Sequence, residues 1–233
     1  MLRSILILLF LPAYTLVGSL LGSVVARLVG SPRVLYVLGR FGARVALGLA
    51  GTRVVFEGLE PLLLDHANVV IMPNHVSNLD ALILFGGIPI DFKAVYKREI
   101  NRFPFFARAL HLAGFIDVDR NQKADAREAV ARAVASLRGG TCFVVFPEGT
   151  RTRTGALGEF KKGGFVVAIE AGSRIVPVAI RGTGALMPRG QFGVRPGEVR
   201  VRVLDPVDAA AYSYEDRERL IALVRGRIEA ALA

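Results

Sequence analysis

The sequence has one cysteine, no tryptophan and three histidines among its 233 residues. The single cysteine, Cys142, excludes an internal disulfide and favours a reducing compartment. His66, His75, His111 and Cys142 are scattered along the chain without the spacing of zinc ligands, so we expect no metal site.

Acidic residues are also scarce, with 20 Asp and Glu against 30 Lys and Arg, and the formal net charge is +10. This balance favours an anionic partner, which is a membrane surface, a nucleic acid, or an acidic substrate or carrier. The basic residues are dispersed and form no nucleic-acid-binding motif, so we expect no nucleic-acid partner. Hydrophobic residues make up 52% of the chain, which points towards lipid.

Residues 4–26 contain no charged side chain. A membrane-spanning helix needs roughly 20 apolar residues, so this run is long enough to cross a bilayer. A secretory signal peptide is the competing interpretation, with Arg3 ahead of the apolar run. Several arginines follow, and the positive-inside rule then predicts that the rest of the chain lies in the cytoplasm.

Arg33, Arg40 and Arg44 lie seven and four residues apart, which places them on one face of a predicted helix over residues 33–50. One interpretation is an interfacial helix with its arginines at lipid phosphates. The alternative is a helix packed on the domain with solvated arginines. In either case we predict a membrane-attachment unit of two helices over residues 1–50, followed by a domain over residues 51–233.

Short apolar runs alternate with helical segments after residue 51. Residues 68–72 and 141–146 predict buried strands, and residues 199–204 alternate apolar and basic side chains, which is typical of a half-exposed edge strand. Strand–helix alternation with runs this apolar predicts an α/β domain, with a largely parallel sheet covered by flanking helices.

Three polar clusters each follow a predicted strand, at residues 74–80, at Arg120 and at residues 147–151. Ligands of open α/β sheets bind outside the carboxyl ends of the strands, where parallel strands would bring these clusters together. Any one cluster is explained as well by an ordinary polar loop. Three that carry a candidate base, a carboxylate and several cations indicate a site.

Each cluster has a candidate chemical role. His75 is a candidate general base and Asp80 the carboxylate that orients its ring, although a turn histidine and a helix cap would fit the same spacing. Arg120, Arg151 and Lys97 are candidates for an anion clamp, since arginine forks suit bidentate phosphate binding.

The loop at residues 147–151 adds a carboxylate and a glycine to these cations. Glu148 is either an ion-pair partner of Arg151 or a holder of hydroxyl groups. Gly149 permits a tight turn that exposes backbone N–H groups to an anion. No nucleophile elbow is present, and Cys142 lies in an apolar strand as a structural thiol. These features predict direct acyl transfer to the hydroxyl of a phosphorylated lipid alcohol, without an acyl-enzyme.

Four short motifs occur in order between about residues 51 and 185. They are Asn74-His75 with Ser77 and Asp80, Gly114 with Arg120, Phe146-Pro147-Glu148-Gly149-Thr150-Arg151, and Val176-Pro177. In these motifs the chain resembles the glycerolipid acyltransferases, the family that includes the bacterial 1-acylglycerol-3-phosphate acyltransferases.

The resemblance implies an acyl-CoA or acyl-carrier-protein donor as co-substrate, no other cofactor, and lysophosphatidic acid as acceptor, giving phosphatidic acid. It also implies a membrane-associated enzyme on the cytoplasmic face, with an N-terminal helical pair dipping into the membrane lipids of one leaflet. The implied roles are catalysis by His75 and Asp80, phosphate binding by Arg151, Arg120 and Lys97, contact with the glycerol by Glu148 in a loop with Gly149 and Thr150, and support by Asn74 and Ser77.

Two alternatives remain open from the sequence. The acceptor could be another lyso-lipid, such as a lyso-ornithine lipid. The chain could also be a catalytically silent protein that binds a membrane surface, although the intact His75 and Asp80 argue against silence.

Overall fold

A computed structural model describes residues 2–119, 122–152 and 155–233 of the protein, so Arg120 lies outside the described residues. The helices are α1 (Leu2–Val29), α2 (Arg33–Ala50), α3 (Glu60–Leu64), α4 (Leu79–Gly87), α5 (Pro104–Leu112), α6 (Lys123–Arg138), α7 (Gly163–Ala171), α8 (Thr183–Leu186) and α9 (Arg217–Leu232). The strands are β1 (Thr52–Glu57), β2 (Val69–Pro73), β3 (Phe92–Lys97), β4 (Ile116–Val118), β5 (Cys142–Val144), β6 (Arg174–Arg181), β7 (Gly197–Val203) and β8 (Val207–Asp208).

The strands form one sheet in the order β1-β7-β6-β2-β5-β3-β4. From β6 to β4 every neighbouring pair is parallel, which confirms the prediction of a largely parallel sheet. β7 and β8 run antiparallel to β6, and β1 is parallel to β7. The carboxyl ends of β6, β2, β5, β3 and β4 therefore meet at one edge of the sheet.

The edge position predicted for residues 199–204 is wrong. β7 lies between β1 and β6, and its exposed residues alternate with buried Val199, Val201 and Val203. The alternation arises because only one face of this strand is covered, which leaves Arg200 and Arg202 in solvent. Burial that alternates from residue to residue shows that only one face of the strand is covered. It does not distinguish an edge strand from an interior one.

Two layers of helices cover the central strands. Successive residues of a strand point to opposite faces, so Val69 and Ile71 pack with α2 and α4, whereas Val70 and Met72 pack with α6, α7 and α9. All four of these side chains are fully buried. This arrangement leaves the carboxyl edge of the sheet as the place where polar side chains can gather.

α1 packs along the α2 and α4 layer and on α5. It buries Ile7 in the core near one end and Ala26 in a smaller cluster near the other. The Tyr14 hydroxyl donates to the carbonyl of Leu38 at 2.8 Å, and the Val194 N–H donates to the Ser4 hydroxyl at 3.0 Å. This integration favours a retained helix over the alternative of a cleaved signal peptide. The outer face of α1 exposes leucine and valine, and the helix is long and apolar enough to cross a membrane.

The arginines of α2 contact the protein itself. Arg40 forms an ion pair with Asp91, and Arg44 Nε donates to the carbonyl of Gly86, at the end of α4, at 2.8 Å. α2 is thus packed on the domain, as the alternative predicted, but these two arginines bond to protein groups where that alternative left them solvated, and a contact with lipid phosphates stays a prediction. Arg33, at the start of α2, is exposed.

Candidate active site

The first and third motifs lie side by side at the carboxyl edge. Asn74 and His75 directly follow β2, and the neighbouring parallel strand β5 leads into residues 146–152. The Thr152 N–H donates to the carbonyl of His75 at 2.9 Å, so the loop after β5 wraps around the residue that follows β2. Tertiary pairing of two strands thus brings together residues more than 70 positions apart.

His75 and Asp80 form a hydrogen-bonded pair. His75 Nδ1 lies 2.8 Å from Oδ2 of Asp80, a carboxylate that is fully buried in the first turn of α4. The same oxygen accepts the backbone N–H groups of Val76 at 2.7 Å and Ser77 at 2.8 Å. Because an ionised carboxylate only accepts hydrogen bonds, Nδ1 carries the proton and Nε2 has a lone pair free to take another.

Asn74 and Ser77 hold the ends of this turn. The Asn74 side chain donates to the carbonyl of Ile180 at 3.0 Å and accepts the N–H of Ile180 at 2.7 Å, which ties the turn to β6. The Ser77 hydroxyl donates to the carbonyl of Met187 at 2.7 Å and accepts the Leu79 N–H. Both side chains are buried, so their contacts position the backbone that carries His75.

Glu148 makes a different contact from either sequence prediction. Its carboxylate is 4% exposed and accepts the N–H of His75 at 2.7 Å and that of Gly158 at 2.8 Å. No ion pair between Glu148 and Arg151 occurs within the described residues. Burial raises the pKa of Glu148, and the two backbone hydrogen bonds act in the opposite direction. Glu148 therefore links the base to its neighbouring loop.

Three backbone N–H groups at the candidate base donate to carboxylates. Those of His75, Val76 and Ser77 donate to the carboxylates of Glu148 and Asp80. An oxyanion that develops during acyl transfer must therefore be stabilised by other donors.

Phe146 and Gly149 shape the loop on the other side of the base. The Phe146 ring stacks on the His75 imidazole with centroids 3.9 Å apart. Gly149 has a positive φ of 68°, which turns the chain beneath the exposed Thr150. The stacking role of Phe146 was not predicted, because its place in an apolar run looks like that of any core aromatic residue.

Two of the three candidate cations lie at or beyond the carboxyl ends of strands, at the same edge of the sheet as His75. Lys97 ends β3, next to β5, and its ammonium lies 3.3 Å from Glu99 in a mostly exposed ion pair. Arg151 follows Thr150, and its carbonyl accepts a hydrogen bond from the guanidinium of Arg189. Sequence reasoning missed Arg189, because the loop that carries it contains no recognised motif. The structure places Lys97 and Arg151 at the same edge as His75, and Arg120 lies outside the described residues.

Cys142 is poorly placed to act as a nucleophile. It is 2% exposed in β5, and burial raises its pKa to about 12, so it remains a thiol. Within the described ranges, no group of three or more His, Cys, Asp or Glu side chains is arranged to hold a metal ion.

An apolar cavity of about 300 Å³ lies between α1, α2, α4 and α5. Two of its lining residues, Ala81 and Leu82, directly follow Asp80 in α4, and others are Phe85, Leu110 and Ala113. Its walls are almost entirely apolar, and a recess of this size and character suits an alkyl chain.

Comparisons with known proteins identify relatives of this chain. A family model described as Acyltransferase matches residues 53–181. A 1-acyl-sn-glycerol-3-phosphate acyltransferase of Borreliella burgdorferi is 30% identical over 196 residues, which span 84% of this chain and 78% of that protein. A protein of the same name from Pseudomonas aeruginosa is 32% identical over 192 residues, 82% of this chain and 72% of that protein.

The crystal structure of the 1-acyl-sn-glycerophosphate acyltransferase PlsC from Thermotoga maritima shares the fold. The TM-score is 0.83 at 24% identity, over 99% of this chain and 94% of that one. The match of the family model to more than half of the chain, together with these relatives, shows that the chain belongs to the acyltransferase family.

Proposed function

We propose that this acyltransferase transfers an acyl group from an acyl thioester to the free hydroxyl of 1-acyl-sn-glycerol 3-phosphate, giving phosphatidic acid. The observation that carries the proposal is the His75–Asp80 pair, set at the carboxyl edge of the sheet beside an apolar cavity. The names of the relatives from Borreliella burgdorferi and Pseudomonas aeruginosa support the choice of acceptor.

The proposed reaction needs one base and no covalent enzyme intermediate. His75 Nε2 takes the proton of the acceptor hydroxyl while its oxygen attacks the thioester carbonyl carbon. Collapse of the tetrahedral intermediate breaks the carbon–sulfur bond, and His75 returns the proton to the leaving thiolate. Asp80 stabilises the imidazolium that forms between these steps. General-base catalysis of this kind contributes about 10²–10⁴-fold.

The headgroup of the acceptor is assigned to the cations of the site. Arg151 and Lys97 lie at the edge that carries His75, and we assign the phosphate to them and to Arg120. Glu148 supports the glycerol region indirectly, since its carboxylate holds the backbone of His75 and Gly158. Gly149 and Thr150 complete the loop that would face the acceptor.

The donor is assigned to acyl-CoA or acyl carrier protein, with no additional cofactor. Its acyl chain would occupy the apolar cavity between α1, α2, α4 and α5, because α4 carries Asp80 and, directly after it, the cavity-lining residues Ala81 and Leu82. A chain in this position would need to present its thioester to His75. The mostly apolar walls favour an alkyl chain and disfavour a headgroup.

We infer that α1 and α2 attach the enzyme to one leaflet on the cytoplasmic side of the membrane. α1 contacts the domain near residue 4 and again near residue 26, so it lies along the protein and does not leave it. Its outward leucines and valines would then lie among acyl chains. The arginines after residue 26 favour the cytoplasmic face.

An acceptor panel with one long-chain acyl-CoA tests the proposal. The panel comprises lysophosphatidate, a lyso-ornithine lipid, lysophosphatidylcholine and glycerol 3-phosphate, and thiol release is measured for the wild type, His75→Ala and the exposed-histidine control His66→Ala. We expect preference for lysophosphatidate, loss of activity in His75→Ala and retention in His66→Ala. Preference for an acceptor without phosphate would refute the assigned substrate, and equal rates in all three proteins would refute the base.

A further inference from the structure

A second apolar recess lies on the outside of α1, between this helix and the segment of residues 100–106. It has a volume of about 630 Å³ and is here called the cleft. Leu11, Pro12 and Leu16 of α1 form one wall, and Ile100, Phe103 and Phe105 contribute to the other. Neither wall has a role in the proposed reaction so far.

The cleft and the cavity are neighbours but separate. They share Leu11, Thr15 and Phe106, which form a common wall. The cavity continues inward from this wall between α2, α4 and α5, whereas the cleft lies towards the exposed side of α1. Each recess could therefore hold an alkyl chain of its own.

The cleft is open to lipid, and one of its lining residues closely follows a candidate headgroup cation in the chain. Leu16, Phe103 and Phe105 are 52%, 67% and 45% exposed, which is unfavourable in water and suits an acyl environment. The cleft continues into the exposed leucine-rich face of α1. One of its lining residues, Ile100, follows Lys97 by three residues in the short 3-10 helix after β3. A cation followed closely by an apolar recess is complementary to an amphiphile with an anionic head and a single tail.

We propose that the cleft binds the acyl chain already present on the lysophospholipid acceptor, an assignment that rests on the proposed function. Direct transfer without an acyl-enzyme requires donor and acceptor to be bound together, so two alkyl chains must be accommodated at once. The chain whose thioester reacts belongs in the cavity, whose lining residues Ala81 and Leu82 follow Asp80 directly. The chain whose headgroup carries phosphate belongs in the cleft, whose lining residue Ile100 follows Lys97 by three residues.

Matched substitutions separate the two recesses. Leu16→Trp narrows the cleft, and Leu9→Trp is its control, because Leu9 is an exposed leucine of the same helix that lines neither recess. Leu110→Ala enlarges the cavity alone. The KM is measured for lysophosphatidates of increasing chain length with one donor, and for acyl-CoAs of increasing chain length with one acceptor.

We expect Leu16→Trp to raise the KM for long-chain acceptors by roughly tenfold, to spare short-chain acceptors and to leave the donor preference unchanged. Leu110→Ala should change the donor preference alone. Leu9→Trp should change neither the KM for acceptors nor the donor preference. A change in donor preference in Leu16→Trp would overturn the assignment. An equal loss for all acceptors in Leu16→Trp and Leu9→Trp would also overturn it, because the cleft would then be only a bilayer contact.

A second measurement does not depend on turnover. A lysophosphatidate with a photoreactive group at its chain end is irradiated with the wild-type enzyme in vesicles of neutral phospholipid, and the labelled peptides are identified by mass spectrometry. Labelling of residues 100–105, of Pro12 or of Leu16 supports the cleft, and labelling of residues 81–85 or 109–113 overturns it. If the wild type transferred no acyl group but labelled the cleft, the proposed function would fail and the lipid site would stand.

Discussion

The carboxylate of Glu148 accepts the backbone N–H of His75 at 2.7 Å. Its second oxygen accepts the N–H of Gly158 at 2.8 Å, so one buried side chain joins the strand end that carries the base to both ends of the loop after β5. The position of the base and the conformation of that loop are therefore coupled. A substitution at Glu148 should therefore alter the position of His75, even though the two side chains are not hydrogen-bonded to each other.

Glu148→Gln tests this coupling. The amide has one accepting oxygen, so its NH₂ group must face a backbone N–H, and one of the two hydrogen bonds is lost. We expect a loss of about 1–3 kcal/mol in the free energy of unfolding, together with reduced acyl transfer. Thermal denaturation and initial rates measure the two effects. Glu159→Gln is the matched control, because Glu159 is 87% exposed, and a similar loss in that control would contradict the coupling.

The difference in stability between the wild type and Glu148→Gln should depend on pH. Burial raises the pKa of Glu148 in the folded protein, so the folded state binds this proton more tightly than the unfolded state does. The stability that this group contributes is greatest with the carboxyl protonated, and it is lost as the pH rises through the raised pKa. The Tm of the wild type minus that of Glu148→Gln should therefore fall from acid pH towards neutral pH. A difference that rises over this range would contradict the expected direction.

Asp80→Asn should abolish most activity while preserving the fold. Asp80 Oδ2 accepts three hydrogen bonds, so the carbonyl oxygen of an asparagine would take its place and keep His75 oriented. The imidazolium that forms when Nε2 takes a proton would lose the negative charge that stabilises it. We expect the rate of thiol release to fall by about 10²–10⁴-fold. Asp91→Asn, at a partly exposed ion pair, is the control, and a loss of less than tenfold in Asp80→Asn would argue against this stabilising role.

Arg151→Ala should weaken acceptor binding more than it slows the chemical step. A charge-assisted hydrogen bond to phosphate contributes about 1.5–3 kcal/mol, which corresponds to an increase of roughly 10- to 100-fold in the KM for lysophosphatidate. Lys97→Ala and Arg120→Ala test the other two cations in the same assay. Arg200→Ala removes an exposed arginine of β7 and serves as the control. An unchanged KM in Arg151→Ala would remove this residue from the phosphate site.

Gly42 and Gly48 of α2 should respond oppositely to alanine. A Cβ atom at Gly42 would lie 2.2 Å from Cε1 of Tyr14, whereas one at Gly48 meets nothing within 4 Å. Gly42→Ala therefore displaces Tyr14 and its hydrogen bond to Leu38, at a cost of about 1–3 kcal/mol. Gly48→Ala should stabilise the helix by about 0.5–1 kcal/mol. Equal Tm values for the two variants in detergent micelles would show that α1 is not packed closely on α2.

The helices and strands were largely predictable because their signals are local. The run Val69-Val70-Ile71-Met72 is apolar at every position, and such a strand is stable only when both of its faces are covered, so it predicts an interior parallel strand. The neighbours of β7 were not predictable, because one-sided burial produces the same alternation at an edge and in the interior. The partners of Arg40 and Arg44 were not predictable either, because arginines on one helix face have the same spacing whether that face contacts phosphate or protein.

At the candidate site the sequence by itself determined the chemical groups: a histidine, a carboxylate five residues later, and a glycine-containing loop with glutamate and arginine. The spacing of His75 and Asp80 allows a short-range hydrogen bond between them, and the structure shows that bond. Only the tertiary structure decided that Glu148 holds the backbone of His75, that Phe146 stacks on its ring, and that two apolar recesses flank α1. These contacts join residues distant in the chain, and their partners depend on which strands pair and which helix faces meet.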